Sequence, residues 1–168
     1  MIATAVLSRA TRMGLVTIAL AGTAHAADPT LERGKYLASI MDCGGCHTRG
    51  ALAGQPDPAF ALAGSDIGFH VPGVGYFYPP NLTPDKETGL GEWTEADIIR
   101  AVRDGERPDG RRLAPVMPFP AYSVLTDEDA VALARYLQSL PPVAFPSEPG
   151  PTSEADPAPG PYLTPKMP

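Results

Sequence analysis

Both cysteines of this 168-residue chain fall in one stretch, Cys43-Gly44-Gly45-Cys46-His47, three residues apart and with a histidine directly after the second. Four chemistries compete for such a stretch. A disulfide closing so short a loop would remove little chain entropy and stabilise little. A thioredoxin-like redox pair needs a βαβ setting, and no such pattern surrounds these residues. Zinc needs four ligands; after the N-terminal segment the chain offers the two thiols, His47 and His70, and carboxylates would have to complete the site. Covalent attachment of a haem is the fourth: two thioether bonds fix the porphyrin edge and place the adjacent histidine beneath the iron.

A haem also accounts for the rest of the pattern. The span from His47 to Glu92 is dense in Gly and Pro and shows no period-2 alternation long enough for a strand. A compact domain seldom carries so long an irregular loop unless the loop is functional, and a chain wrapped around a large apolar disc takes its loop shapes from the disc. Three segments predict helices. The first runs over Leu31 to Met41, with Thr30 as N-cap and Leu37, Ile40 and Met41 on one face. The second starts at Thr94, capped with Asp97, buries Ile98, Ile99 and Val102, and stops at Gly105. The third is capped by Thr126, carries Asp127, Glu128 and Asp129 at its positive end, and presents Ala130, Leu133, Ala134 and Leu137 as a stripe before Pro141-Pro142 ends it.

The N-terminus reads as an export signal over residues 1–26. Arg9 and Arg12 precede the short apolar run Met13 to Gly22, and Ala24-His25-Ala26 is a small-x-small cleavage site. The run is too short to span a bilayer, which takes about 20 residues. Nothing later is apolar enough to do so, and the expected location is the periplasm. The net charge of −6 becomes more negative once those two arginines leave. So acidic a chain is unsuited to nucleic acid and suited to a partner with a basic docking face. A haem domain is expected over 27–144. Residues 145–168 read as an extended or disordered tail, inert in preference to partner-binding, because ten of the 21 prolines lie from Pro141 onward.

A second axial position decides what a haem does. Of the five methionines, Met1 and Met13 sit in the signal, Met41 on the attachment side and Met167 in the tail. Met117 is left, flanked by Pro115, Pro118 and Pro120, which stiffen its loop. His70, in a Gly-rich loop, is the rival ligand. The indole N–H of Trp93 either serves a haem propionate or belongs to the core, and Tyr122 carries the same ambiguity.

With these residues in place, the chain resembles the single-haem class I cytochromes c, with CxxCH near the N-terminus and a methionine ligand toward the C-terminus. More narrowly, YPPNLTPDKETGLGEWTEADIIRAVRDG and DGRRLAPVMPFPAYSVLTDEDAVALARYLQSLPPV look like the haem domains of cytochrome c subunits serving periplasmic, alcohol-type dehydrogenases. The resemblance covers about Leu31 to Val143. It implies an all-α cytochrome c fold, three main helices and long loops enclosing one covalent haem c. It implies Cys43 and Cys46 as attachment points and His47 and Met117 as axial ligands. The first and last helices should cross at Gly34, with Tyr136 or Leu137 packing on it. The implied role is a one-electron carrier, not itself an enzyme, taking electrons from a dehydrogenase toward an oxidase or another cytochrome of the respiratory chain. Subunits of that kind often carry several CxxCH motifs and this chain has one, so a fixed subunit and a diffusing carrier both remain open. The competing class is a haem enzyme or gas sensor with an open iron site.

Overall fold

The structure, a computed structural model, describes residues 28–146 and 151–165. The expected export signal and Met167 lie outside them. Five helices form: α1 (Pro29–Ile40), α2 (Cys43–His47), α3 (Glu95–Asp104), α4 (Phe119–Tyr122) and α5 (Asp127–Ser139). Two 3-10 turns, Ala51–Ala53 and Pro58–Phe60, and three short strands, β1 (Gly68–Val71), β2 (Gly75–Phe77) and β3 (Tyr162–Leu163), complete it.

The helix ends follow local chemistry. At α3 the Thr94 side chain accepts from the Asp97 N–H while the Asp97 carboxylate accepts from Thr94, a full capping box, and Gly105 closes the helix at φ 69°. Thr126 caps α5 as expected. The first helix starts earlier than its pattern implied: Asp28 is the cap, its carboxylate accepting from the Thr30 N–H at 2.8 Å, and Pro29 takes the first helical position. Its buried residues are Gly34, Leu37 and Ala38, whereas Ile40, expected on the inner face, is 59% exposed.

The core is built where α1 crosses α5, the most extensive contact between any two elements. Leu37, Ala38, Ile98, Leu133, Ala134 and Leu137 are its buried centre. The crossing is close because Gly34 has no side chain: a Cβ there would lie 2.0 Å from the Ala132 carbonyl oxygen and 2.5 Å from the Tyr136 Cβ. Tyr136 therefore packs on Gly34 as expected, and Ala132, unforeseen, sets the limit. Outside the apolar contact, Arg33 grips Asp129 with two hydrogen bonds of 2.8 and 2.9 Å. Helix α3 is fastened to α5 by Arg135 on Glu95 and by Arg103 on Asp127, each 2.8 Å, with a further bond from Arg103 to the Leu125 carbonyl.

Hydrogen bonds order the long irregular span where secondary structure does not. Asn81, 1% exposed, donates to the Val143 carbonyl (2.7 Å) and the Thr88 hydroxyl (2.9 Å). Its own oxygen accepts from the N–H and hydroxyl of Thr83, each at 2.8 Å. One buried amide thus ties three points of the loop to the segment leaving α5, which meets the requirement that buried polar groups be paired.

One expectation is corrected here. The fold is not purely all-α, because β1 pairs antiparallel with β2 (His70 opposite Tyr76) and parallel with β3 (Gly68 opposite Tyr162). Strands of two to four residues leave no readable alternation. The described residues of the expected tail, 145–146 and 151–165, make contacts with the rest of the chain. The Phe145 ring meets Phe60 edge-on at 5.5 Å, its N–H donates to Thr88, and residues 151–165 return to the hairpin. Backbone hydrogen bonding holds that segment despite its few apolar side chains.

Candidate functional site

Helix α2 is one turn long and carries the whole CxxCH stretch. Asp42, in the left-handed region at φ 54°, breaks the chain direction between α1 and α2, so the two helices meet at an angle. The turn presents Cys43, Cys46 and His47 to a cavity of about 750 Å³, within the range that encloses a sizeable ligand. Its lining is mainly apolar: Leu82, Leu90, Ile98, Val102, Leu133 and Leu137 come from the core side, and Phe69 and Phe77 from the hairpin.

The His47 ring is buried, and its Nδ1–H donates to the Pro80 carbonyl at 2.8 Å. A carbonyl can only accept, so the proton sits on Nδ1 and the Nε2 lone pair is left for a metal. Burial lowers the histidine's pKa, outweighing the bond to Pro80, and keeps the ring neutral and able to ligate. Burial likewise pushes the Cys43 thiol up to about 11, and raises Cys46 as well.

Met117 lines the same cavity, at the end of a turn closed by its N–H on the Ala114 carbonyl (2.9 Å) and followed at once by α4. Its rival is placed elsewhere. His70 is not among the lining residues; its Nε2–H donates to Glu154 at 2.6 Å and its ring stacks on Tyr76 at 4.9 Å between centroids. Trp93 lines the cavity with its ring beneath the Arg107 guanidinium, 5.1 Å from the centroid. Tyr122 also lines it, but its hydroxyl donates to the Met41 carbonyl at 3.0 Å and so buttresses the turn before α2.

Three arginines of the lining, Arg107, Arg111 and Arg112, were not foreseen. Asp109 lies 3.5 Å from Arg107 and 3.9 Å from Arg111, one carboxylate between two guanidiniums. Burial, then the like charge of Arg111, lower the pKa of Arg107 against the opposing pull of Asp109. A basic run in an acidic chain was the available signal. Nothing in the side-chain pattern pointed to the Pro80 carbonyl.

The profile of the family described as Cytochrome c matches residues 31–141. The chain belongs to the cytochrome c family. The family's cofactor, one covalently bound haem c, fits what is present: a large apolar cavity, two thiols in the CxxCH position at one edge, a neutral imidazole with a free nitrogen, and three arginines in the lining able to meet the propionates. Relatives point the same way. The chain is 38% identical over 140 residues to the cytochrome c subunit of alcohol dehydrogenase (quinone) from Gluconobacter oxydans (strain 621H), covering 81% of this chain and 27% of that one. It is 38% identical to the gluconate 2-dehydrogenase cytochrome c subunit of Pantoea cypripedii (79% and 28% covered). It is 40% identical to the fructose dehydrogenase cytochrome subunit of Gluconobacter japonicus (74% and 24% covered). The chain thus spans about a quarter of the length of these relatives. No helix among the described residues is long and apolar enough to cross a membrane.

Proposed function

We propose that this cytochrome c is an exported, periplasmic one-electron carrier that takes electrons from a dehydrogenase and passes them toward the respiratory chain. The observation that carries the reading is that His47 and Met117 line one apolar cavity whose edge holds Cys43 and Cys46. The haem supplies the one-electron couple when bound. Cys43 and Cys46 would anchor it, His47 Nε2 and the Met117 sulfur would hold its iron, and the aliphatic lining would keep water out. Pro80 fixes the His47 tautomer and ring orientation. Arg107 and Arg111 would pair with its propionates, with Trp93 supporting Arg107 from below. A thioether ligand favours a raised potential, suited to accepting electrons. The dehydrogenase relatives, named above for alcohol, gluconate and fructose, support a dehydrogenase as donor. An open-iron enzyme or sensor is disfavoured by a methionine held in the cavity by a proline-stiffened turn.

Met117→Ala tests the assignment. The holoprotein should keep its haem, because attachment rests on Cys43 and Cys46. The reduced variant should bind carbon monoxide readily where the parent binds it poorly, and the midpoint potential should fall. The weak long-wavelength absorption of iron–methionine bonding should vanish from the oxidised spectrum. If Met117→Ala leaves all three unchanged while His70→Ala alters them, the ligand is His70 and the raised potential goes with it.

A further inference from the structure

Residues 151–163 touch the β1–β2 hairpin along both of its free edges and across one face. On the β2 side, Thr152 and Tyr76 exchange backbone hydrogen bonds of 2.9 and 3.0 Å. On the β1 side, the Gly68 N–H donates to the Pro161 carbonyl at 2.9 Å, and Tyr162 and Leu163 continue as β3. Between these seams the chain crosses the face bearing His70 and Tyr76. There Glu154 accepts from the His70 ring (2.6 Å) and from the Gly73 N–H (3.0 Å). The Tyr162 ring packs 4.9 Å from Tyr76 and 5.7 Å from His70. Gly160 and the Tyr78 hydroxyl are joined by hydrogen bonds in both directions, 2.8 Å each. The approach is shaped for this occupant: a Cβ on Gly75 would stand 2.3 Å from the Thr152 carbonyl oxygen.

The hairpin has a second role. Phe69 and Phe77, paired across it, line the cavity, as does Tyr78. The same short ribbon is therefore cavity wall on one side and tail seat on the other. A two-stranded ribbon is marginal by itself and needs a further strand or a packed layer.

We propose that residues 151–163 are a clasp: the hairpin presents a docking surface for an extended acidic segment with an aromatic residue, the chain's own tail is its occupant, and this docking holds the cavity wall in place. The contacts are mostly backbone and polar, and Tyr162 and Leu163 each stay 44% exposed, so the clasp is register-specific yet low in buried apolar area. Such a contact opens more easily than the core behind it. The effect on the haem rests on the functional reading above; the effect on the hairpin does not.

The test is amide hydrogen exchange on the full-length holoprotein, with a redox titration alongside. In the parent, the amides of Gly68, Gly73, Tyr76, Thr152 and Gly160 should be protected. Thr152→Pro combined with Glu154→Ala changes tail residues alone, so the haem domain's sequence is intact. That variant, which has no amide at 152, should lose protection at Gly68, Gly73, Tyr76 and Gly160 together, speed exchange of the β1–β2 ladder at least tenfold, leave α3 and α5 unchanged and lower the midpoint potential. Fast exchange of these five amides in the parent would overturn the docking. Tail amides set free while the β1–β2 ladder stays protected would overturn the clasp. A loosened ladder with an unmoved potential would overturn the link to the cavity wall, while ligand assignment would still be read from Met117→Ala.

Discussion

Gly34 and Ala132 meet backbone to backbone where α1 crosses α5, with room for a hydrogen and not for a methyl. The obstacle is a carbonyl inside a helix, which cannot swing aside as a flexible side chain would. Gly34→Ala should therefore destabilise the holoprotein despite its better helix propensity, by about 1–3 kcal/mol, the usual cost of overpacking. Denaturant midpoints compared at equal slope give the measurement. An unchanged midpoint would mean that the two helices do not approach at this point.

The arginine group beside the cavity should act on the redox equilibrium. Oxidised haem iron carries one more positive charge than reduced, so nearby cations disfavour it. Arg107→Gln and Arg111→Gln should each lower the midpoint potential, while Arg107→Lys should retain most of the parent value. The shift should shrink as ionic strength rises, because a partly exposed charge is screened. Equal potentials in parent and both Gln variants would remove these residues from the propionate end.

Glu154 gives the clasp a pH dependence of defined sign. The His70 bond, then the Gly73 N–H, hold its carboxyl below the ordinary 4.5; His70 and Tyr76 are the titratable groups that face it, and the Tyr162 ring packs on both. A carboxyl depressed by folding contributes stability above its unfolded value and loses it as the pH falls through the folded one. Tail docking should thus be complete above about pH 4.5 and weaken below it. The Gly73 amide resonance should titrate with a midpoint under that value, and Glu154→Gln should abolish the titration.

Each cysteine should be needed for a stable covalent holoprotein. Cys43→Ala and Cys46→Ala should yield little holoprotein, and what forms should keep a single thioether. In the parent, haem should stay with the polypeptide through denaturing acid extraction. Haem recovered free from the parent would end the covalent reading.

How much of this was legible in the sequence depended on how local the cause was. Helices α3 and α5 were readable because Thr94 with Asp97, Gly105 and Thr126 act within one turn of themselves. The start of α1 shifted because Asp28 followed by Pro29 outcompetes Thr30, a choice between two adjacent good caps. The CxxCH stretch and Met117 stood out because their residue types are scarce in this chain. The sheet was not legible: its strands are short, and His70 finds its partner Glu154 84 residues later. The hydrogen-bond partner of His47 is a backbone carbonyl, which no residue type announces.

The pairing of Arg33 with Asp129 joins residues 96 apart, across nearly the whole haem domain. In kinetic terms the main packing partner of α1 is α5, so the loop between them must close before that core contact repays its entropy. A chain halted anywhere before α5 would leave Leu37 and Ala38 without the helix that packs most closely on α1. Folding of this domain is therefore expected to be concerted, with both ends committed in the same step, and fragments ending between α3 and α5 are expected to aggregate instead of accumulating as partial folds.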